Sequence, residues 1–200
     1  TPFLDLAETL GKIATQLVES PIKSISVECF GNIDDSKPIS LSLLIGLFHN
    51  ITDNRINFVN ASIIAEERGI TLSHSLNTET VSFANLIVAH VSTKNETIKV
   101  AGSVFGDQHP RLVDIMGYEV DVCPKGNMLF VQNKDVPGVI GRVGMVLGKR
   151  DVNIAEYLLS RTSNNDSAYS IIKFDGIIDD ALLEELIKID EILDIKQLRV

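Results

Sequence analysis

Cysteine is scarce in this chain. Only Cys29 and Cys123 occur, far apart, and neither has the close spacing of a zinc or iron–sulfur ligand set. Reduced structural thiols are the expectation. Histidine is as thin: His49, His74, His90 and His109 are scattered, with no HExxH pair to hold a metal. No apolar run approaches the roughly 18–20 residues of a membrane span. The N-terminus, TPFLDLAETLGK, lacks an initiator methionine and the basic-then-apolar pattern of a secretory signal. The chain is therefore expected to be cytoplasmic and cut from a longer polypeptide. Basic residues are the minority: 18 Lys and Arg stand against 27 Asp and Glu, for a net charge of −9. No tight basic cluster is present, which argues against a general nucleic-acid binder.

What is there is an ordinary globular composition, enough for one large domain or two small ones. Phe3, Leu6, Ala7, Leu10, Ile13, Ala14 and Leu17 share one face of a helix over residues 3–17, with Pro2 suited to its first turn. KSISVECF (23–30) reads as a strand. Leu41, Leu44, Ile45, Phe48 and Ile51 follow a helix period after Ser36 and Pro38. INFVN (56–60) reads as short and extended. Asn60 can then cap a helix through ASIIAEER, and Gly69 can end it in a left-handed turn.

From residue 70 the period changes to two. NLIVAHV (85–91) and IKVAGSVFG (98–106) flank STKNET, and RLVDI (111–115) and YEVDV (118–122) flank Met116–Gly117. Two hairpins are expected, so the first part is helices with an antiparallel sheet. CPKGN (123–127) is a break. The domain boundary is placed there, giving domains 1–125 and 126–200.

The second part reads as a strand (127–132), a helix (Pro137 to Gly148), a strand (152–161), a turn (SNNDS, 163–167), a strand (168–174), a helix opened by Asp179 and Asp180, and a strand (192–200). In the first helix Val139, Ile140, Val143, Val146 and Leu147 form the apolar side. The order is βαββαβ, a ferredoxin-like unit. The fold class is α+β.

The stretch DVPGVIGRVGMVLGKRDVNIAEY (135–157) has glycines three apart at Gly138, Gly141 and Gly144. A dinucleotide fingerprint needs G-x-G-x-x-G, and the first close pair is absent. A P-loop ends in Gly-Lys-Ser or Gly-Lys-Thr, whereas this stretch has Gly148–Lys149–Arg150. Two readings remain. One is structural: Asp135 caps the helix, Pro137 begins it, and the glycines let it lie close to a neighbour. The other is functional: the helix start attracts a carboxylate, Asp135 holds an ammonium, and Asn153 offers a donor and an acceptor. A carboxylate site beside an ammonium site is a receptor for a free amino acid.

NKDVPGVIGRVGMVLGKRDVNIAEY strongly resembles the ligand turn of the ACT domain, a small amino-acid-sensing module. FVNASIIAEERGI (58–70) and AGSVFGDQHPRLVDIMGYEVDV (101–122) resemble the allosteric substrate-binding domain of the long-form D-3-phosphoglycerate dehydrogenase family. Together with PFLDLAETLGKIATQL the resemblance covers essentially the whole chain, in the family's order. It implies the C-terminal regulatory half, with NAD and the catalytic chemistry belonging to parts not in this segment, which is itself expected to be catalytically silent. It implies serine biosynthesis, with L-serine bound between two ACT domains as a feedback inhibitor. The residues carried over are Asn133, Asp135 and Asn153, with Pro137, Gly138, Val139 and Ile140 shaping the pocket. Relatives often have His or Tyr where this chain has Asn133. The resemblance also implies a phosphate-bearing ligand, such as phosphoglycerate, on Arg111 in the first domain. The second basic position there is Cys123, with Lys125 two residues on as a substitute. A homodimer or tetramer is expected, with ACT sheets pairing edge to edge. The alternatives carried are the regulatory part of an iron–sulfur L-serine dehydratase and a free-standing amino-acid sensor.

Overall fold

The computed structural model describes residues 1–49, 56–78, 82–106, 108–161 and 166–200. Ile51 and part of the turn at 163–167 lie outside the described residues. The chain divides into two compact units, Thr1–Pro124 and Lys125–Val200.

In the first unit, α1 (Pro2–Leu17), β1 (Ile22–Gly31), α2 (Ser36–Phe48), α3 (Ala61–Glu67) and β2 (Thr71–Asn77) precede four further strands. These are β3 (Asn85–Thr93), β4 (Thr97–Phe105), β5 (His109–Ile115) and β6 (Tyr118–Val122). The sheet order is β2-β1-β3-β4-β5-β6. Both expected hairpins form. Met116 and Gly117 take φ of 55° and 86°, the paired left-handed conformation of a tight hairpin turn. The sheet is not wholly antiparallel: β2 runs parallel to β1, and helices α2 and α3 lie in the connection between them. A parallel neighbour needs such a crossover.

Helix α1 buries Leu6, Ala7, Leu10, Ile13, Ala14 and Leu17, as its period predicts. It packs on α2 without side chains at the crossing. A Cβ on Gly11 would strike the backbone of Leu43 and Leu47, and one on Gly46 would strike the backbone of Glu8. Helix α2 differs from its expected face. Ile39, Leu43, Leu44, Leu47 and Phe48 are buried, whereas Leu41 and Ile45 are half-buried. INFVN is not extended: residues 58–60 form a turn. Asn57 accepts from the N–H groups of Val59 and Asn60, at 2.9 and 3.2 Å, and Asn60 Oδ1 accepts from Asn57 N at 2.8 Å. Asn60 therefore precedes α3 without capping it through its side chain. Gly69 does end the helix in a left-handed turn, at φ 69°.

The second unit contains β7 (Asn127–Lys134), α4 (Val139–Lys149), β8 (Asn153–Arg161), β9 (Ser167–Asp175), α5 (Asp180–Ile187) and β10 (Ile192–Arg199). All pairings are antiparallel in the order β10-β7-β9-β8. This is the βαββαβ arrangement expected, with β8 at one edge. One core cluster joins Leu129, Val131 and Ile172 of the sheet to Val143 and Leu147 of α4 and Leu182 and Leu186 of α5. Asp179 caps α5, accepting from Leu182 N at 2.8 Å. Ile140 departs from the expected apolar side of α4: it is 49% exposed.

Candidate functional site

The glycine stretch forms the turn from β7 into α4. Pro137 precedes the helix rather than opening it. Gly138 occupies the N-cap position at φ 92°, and α4 begins at Val139. A left-handed residue here favours glycine, because a side chain would crowd the backbone. A Cβ on Gly138 would also meet the Arg142 guanidinium at 2.8 Å. Asp135 does not cap α4. Its backbone N–H donates to Asp166 O at 2.8 Å, and its carboxylate pairs with Arg161 Nε at 3.0 Å. Gly141 and Gly144 face open space within this chain, so they permit no close helix contact in it.

Asn133 is buried, 3% exposed, at the end of β7. Its Nδ2 donates to Lys134 O at 2.8 Å, and Ser170 Oγ donates to its Oδ1 at 3.3 Å. The Asn133 amide is thus fixed in orientation by its own strand and by β9.

A cavity of about 350 Å³ lies over this turn. Asn133, Asp135, Pro137, Gly138, Val139 and Ile140 all line it, with Val136, Gly141, Leu159 and Arg161. The first N–H groups of a helix have no partner within it, and here those of α4 begin at this wall. The site therefore combines an acidic side chain, a basic side chain, a helix start and apolar walls. Such a set suits a small zwitterion.

Two more residues hold the turn. Arg142 donates from Nε and NH2 to the two carboxylate oxygens of Glu191, at 3.1 and 2.7 Å. Lys134 N donates to Glu191 O at 2.8 Å. The start of α4 and the end of β7 are both tied to the residue just before β10. Sequence reasoning finds neither Arg142, Glu191 nor Arg161, since each acts through a partner distant in sequence.

Asn153 stands apart from the cavity in this chain. It is exposed at the first residue of β8, and its Nδ2 donates to Asp175 Oδ2 at 2.7 Å. Leu159 and Arg161 lie toward the other end of that strand. Eight residue steps of extended chain separate Asn153 from Arg161, roughly 26 Å.

In the first unit, Arg111 on β5 forms an ion pair with Asp121 on β6, and its NH2 donates to Asp121 O at 3.0 Å. Lys125 is exposed and belongs to the second unit. Cys29 is buried, and that burial pushes its thiol up to about 12, with a smaller contribution from the nearby Asp35 charge. Among the described residues no cluster of three or more His, Cys, Asp or Glu could hold a metal ion. No described helix is long and apolar enough to cross a membrane.

Residues 1–116 match the D-3-phosphoglycerate dehydrogenase intervening domain, and residues 127–191 match the ACT domain. The chain belongs to the D-3-phosphoglycerate dehydrogenase family. It is 34% identical over 199 residues to D-3-phosphoglycerate dehydrogenase of Archaeoglobus fulgidus, covering 96% of this chain and 37% of that relative. It is 29% identical over 197 residues to the Bacillus subtilis protein of the same name, covering 98% of this chain and 38% of the relative. The chain thus spans little more than a third of the length of these dehydrogenases. The cavity and its turn fall within the ACT match, and Arg111 within the intervening-domain match.

Proposed function

We propose that this chain is a regulatory segment of an NAD-dependent D-3-phosphoglycerate dehydrogenase, and that its second unit binds a free small amino acid, L-serine first among them. One observation carries this reading: the ACT turn encloses a cavity of about 350 Å³ with Asp135 in its wall. Asp135 supplies a negative charge for an ammonium. The start of α4 supplies N–H groups for a carboxylate. Val139 and Ile140 add apolar wall beside these polar groups.

The position of Asn153 supports a site completed by two copies. Strand β8 is an edge strand, with one row of backbone groups open to pairing. Two copies pairing antiparallel about Tyr157 bring residue 153 of one opposite residue 161 of the other. Asn153 of the partner subunit then stands over the cavity of this chain. Ligand bound across such a seam favours one arrangement of the dimer, by as much as its affinities for the two arrangements differ. Feedback inhibition of a catalytic part elsewhere in the protein is the expected outcome. NAD and the substrate of that reaction belong to that part. In the first unit, Arg111 is the proposed contact for a phosphate-bearing ligand; Lys125 belongs to the second unit and is not carried into that site.

Calorimetric titration of the chain with L-serine, against glycine, L-alanine and phosphate, tests the reading. Saturable heat with serine is expected. A folded dimer giving no heat with any of the amino acids overturns it.

A further inference from the structure

The Asp135–Arg161 pair carries more than a structural contact. Among the described residues lining the cavity, Asp135 is the acidic side chain and Arg161 the basic one. They come from different strands: Asp135 follows β7, and Arg161 ends β8, with β9 lying between those two strands. The pairing uses Nε of Arg161, at 3.0 Å from Oδ1. A guanidinium has five N–H donors in a planar fork, so its terminal nitrogens remain to take a second anion. The Arg161 side chain is 65% exposed and that of Asp135 is 28% exposed. Pairs this open to water contribute little to stability, so this one opens at small cost.

We infer that Arg161 joins the start of α4 in receiving the ligand's carboxylate and that a zwitterion splits the Asp135–Arg161 pair, ammonium onto Asp135 and carboxylate toward Arg161. This rests on the amino-acid reading above and adds the rule by which ligands are chosen. Before binding, the two protein charges neutralise each other. After a zwitterion enters, all four charges are paired. An amine without a carboxylate takes Asp135 and leaves Arg161 without its partner. A carboxylic acid without an amine strands Asp135 instead. Breaking the pair itself costs little, so discrimination follows from the contact each of these ligands fails to make. The arginine fork also matches a carboxylate with two parallel hydrogen bonds.

The test uses the whole 200-residue chain and its Arg161→Gln variant, titrated calorimetrically with L-serine and with L-serinamide at mildly acidic pH. Serinamide keeps the ammonium and lacks the carboxylate. The wild-type chain is expected to prefer serine by about tenfold or more. In Arg161→Gln, serine affinity falls by about tenfold while serinamide affinity changes by less than about twofold, so the preference collapses. The inference is overturned if the variant binds serine as tightly as wild type, or more tightly. Arg161 then only competes for Asp135, while the amino-acid reading stands. A wild-type chain that binds neither ligand removes that reading, and this inference with it.

Discussion

Arg142 and Glu191 face each other as a two-pronged ion pair, at 3.1 and 2.7 Å, that fastens the first turn of α4 to the residue before β10. Neither residue lines the cavity. Their side chains are 41% and 23% exposed, so the pair contributes at most about 1 kcal/mol to stability. Its larger effect is on where the turn sits. Glu191→Ala is expected to lower the urea unfolding free energy by no more than about 1 kcal/mol and to weaken serine binding by about five- to tenfold. Equal serine affinity in the variant and wild type would show that the turn needs no such anchor.

Asp135 has a sharper role. Asp135→Ala removes the cavity's acidic group and breaks only a partly exposed ion pair. Amino-acid binding should fall by more than about tenfold, while the thermal midpoint moves by only a few degrees. Serine titration and a melting curve on one preparation decide it. Normal serine affinity in the variant places the ammonium elsewhere.

Two glycines in helices should respond oppositely to alanine. In Gly46→Ala the new methyl group meets the backbone of Glu8, which cannot swing aside as a side chain can. A loss of about 3 kcal/mol or more in urea unfolding is expected, through overpacking. Gly144 sits in α4 with nothing within 4 Å of an added Cβ. Gly144→Ala should therefore stabilise by about 0.4–1 kcal/mol, because the unfolded chain loses freedom. Loss of stability in Gly144→Ala would mean that another molecule packs on that face of α4.

Cys29 gives a pH dependence with a definite sign. Its thiol is near 9.0 ordinarily and rises to about 12 in the fold because burial disfavours the thiolate. Between those values the folded state keeps a proton that the unfolded state has released. Stability from this group is therefore full below pH 9 and falls as pH rises toward 12. Urea midpoints at a series of pH values from 8 upward should decline more steeply for wild type than for Cys29→Ala. Parallel slopes would contradict the burial of this thiol.

The sequence is readable where burial is one-sided. Helix α1 shows its period because one face meets the core, and the β6 alternation of Tyr118, Val120 and Val122 survives for the same reason. Helix α2 hides its orientation, because buried residues occur nearly all round it. Strand β2 is mostly exposed, so no apolar alternation marks it, and its parallel pairing is a property of the crossover rather than of its own residues. The candidate site divides in the same way. The turn residues from Asn133 to Ile140 are contiguous and carry a motif, and they do gather around one cavity. Arg161 is far along the chain from Asp135 and becomes its partner only when β8 and β7 lie two places apart in the sheet. Asp135 read as a helix cap for that reason: capping is a rule about near neighbours, and the ion pair comes from distant ones.

The crossing of α1 and α2 has a mechanical meaning. Sliding between packed helices needs side chains that can change rotamer as one ridge passes another. At Gly11 and Gly46 the two backbones meet directly, with no such compliant layer between them. Such a contact resists shear between the two helices. For one helix to slide along the other, these two backbones would first have to part.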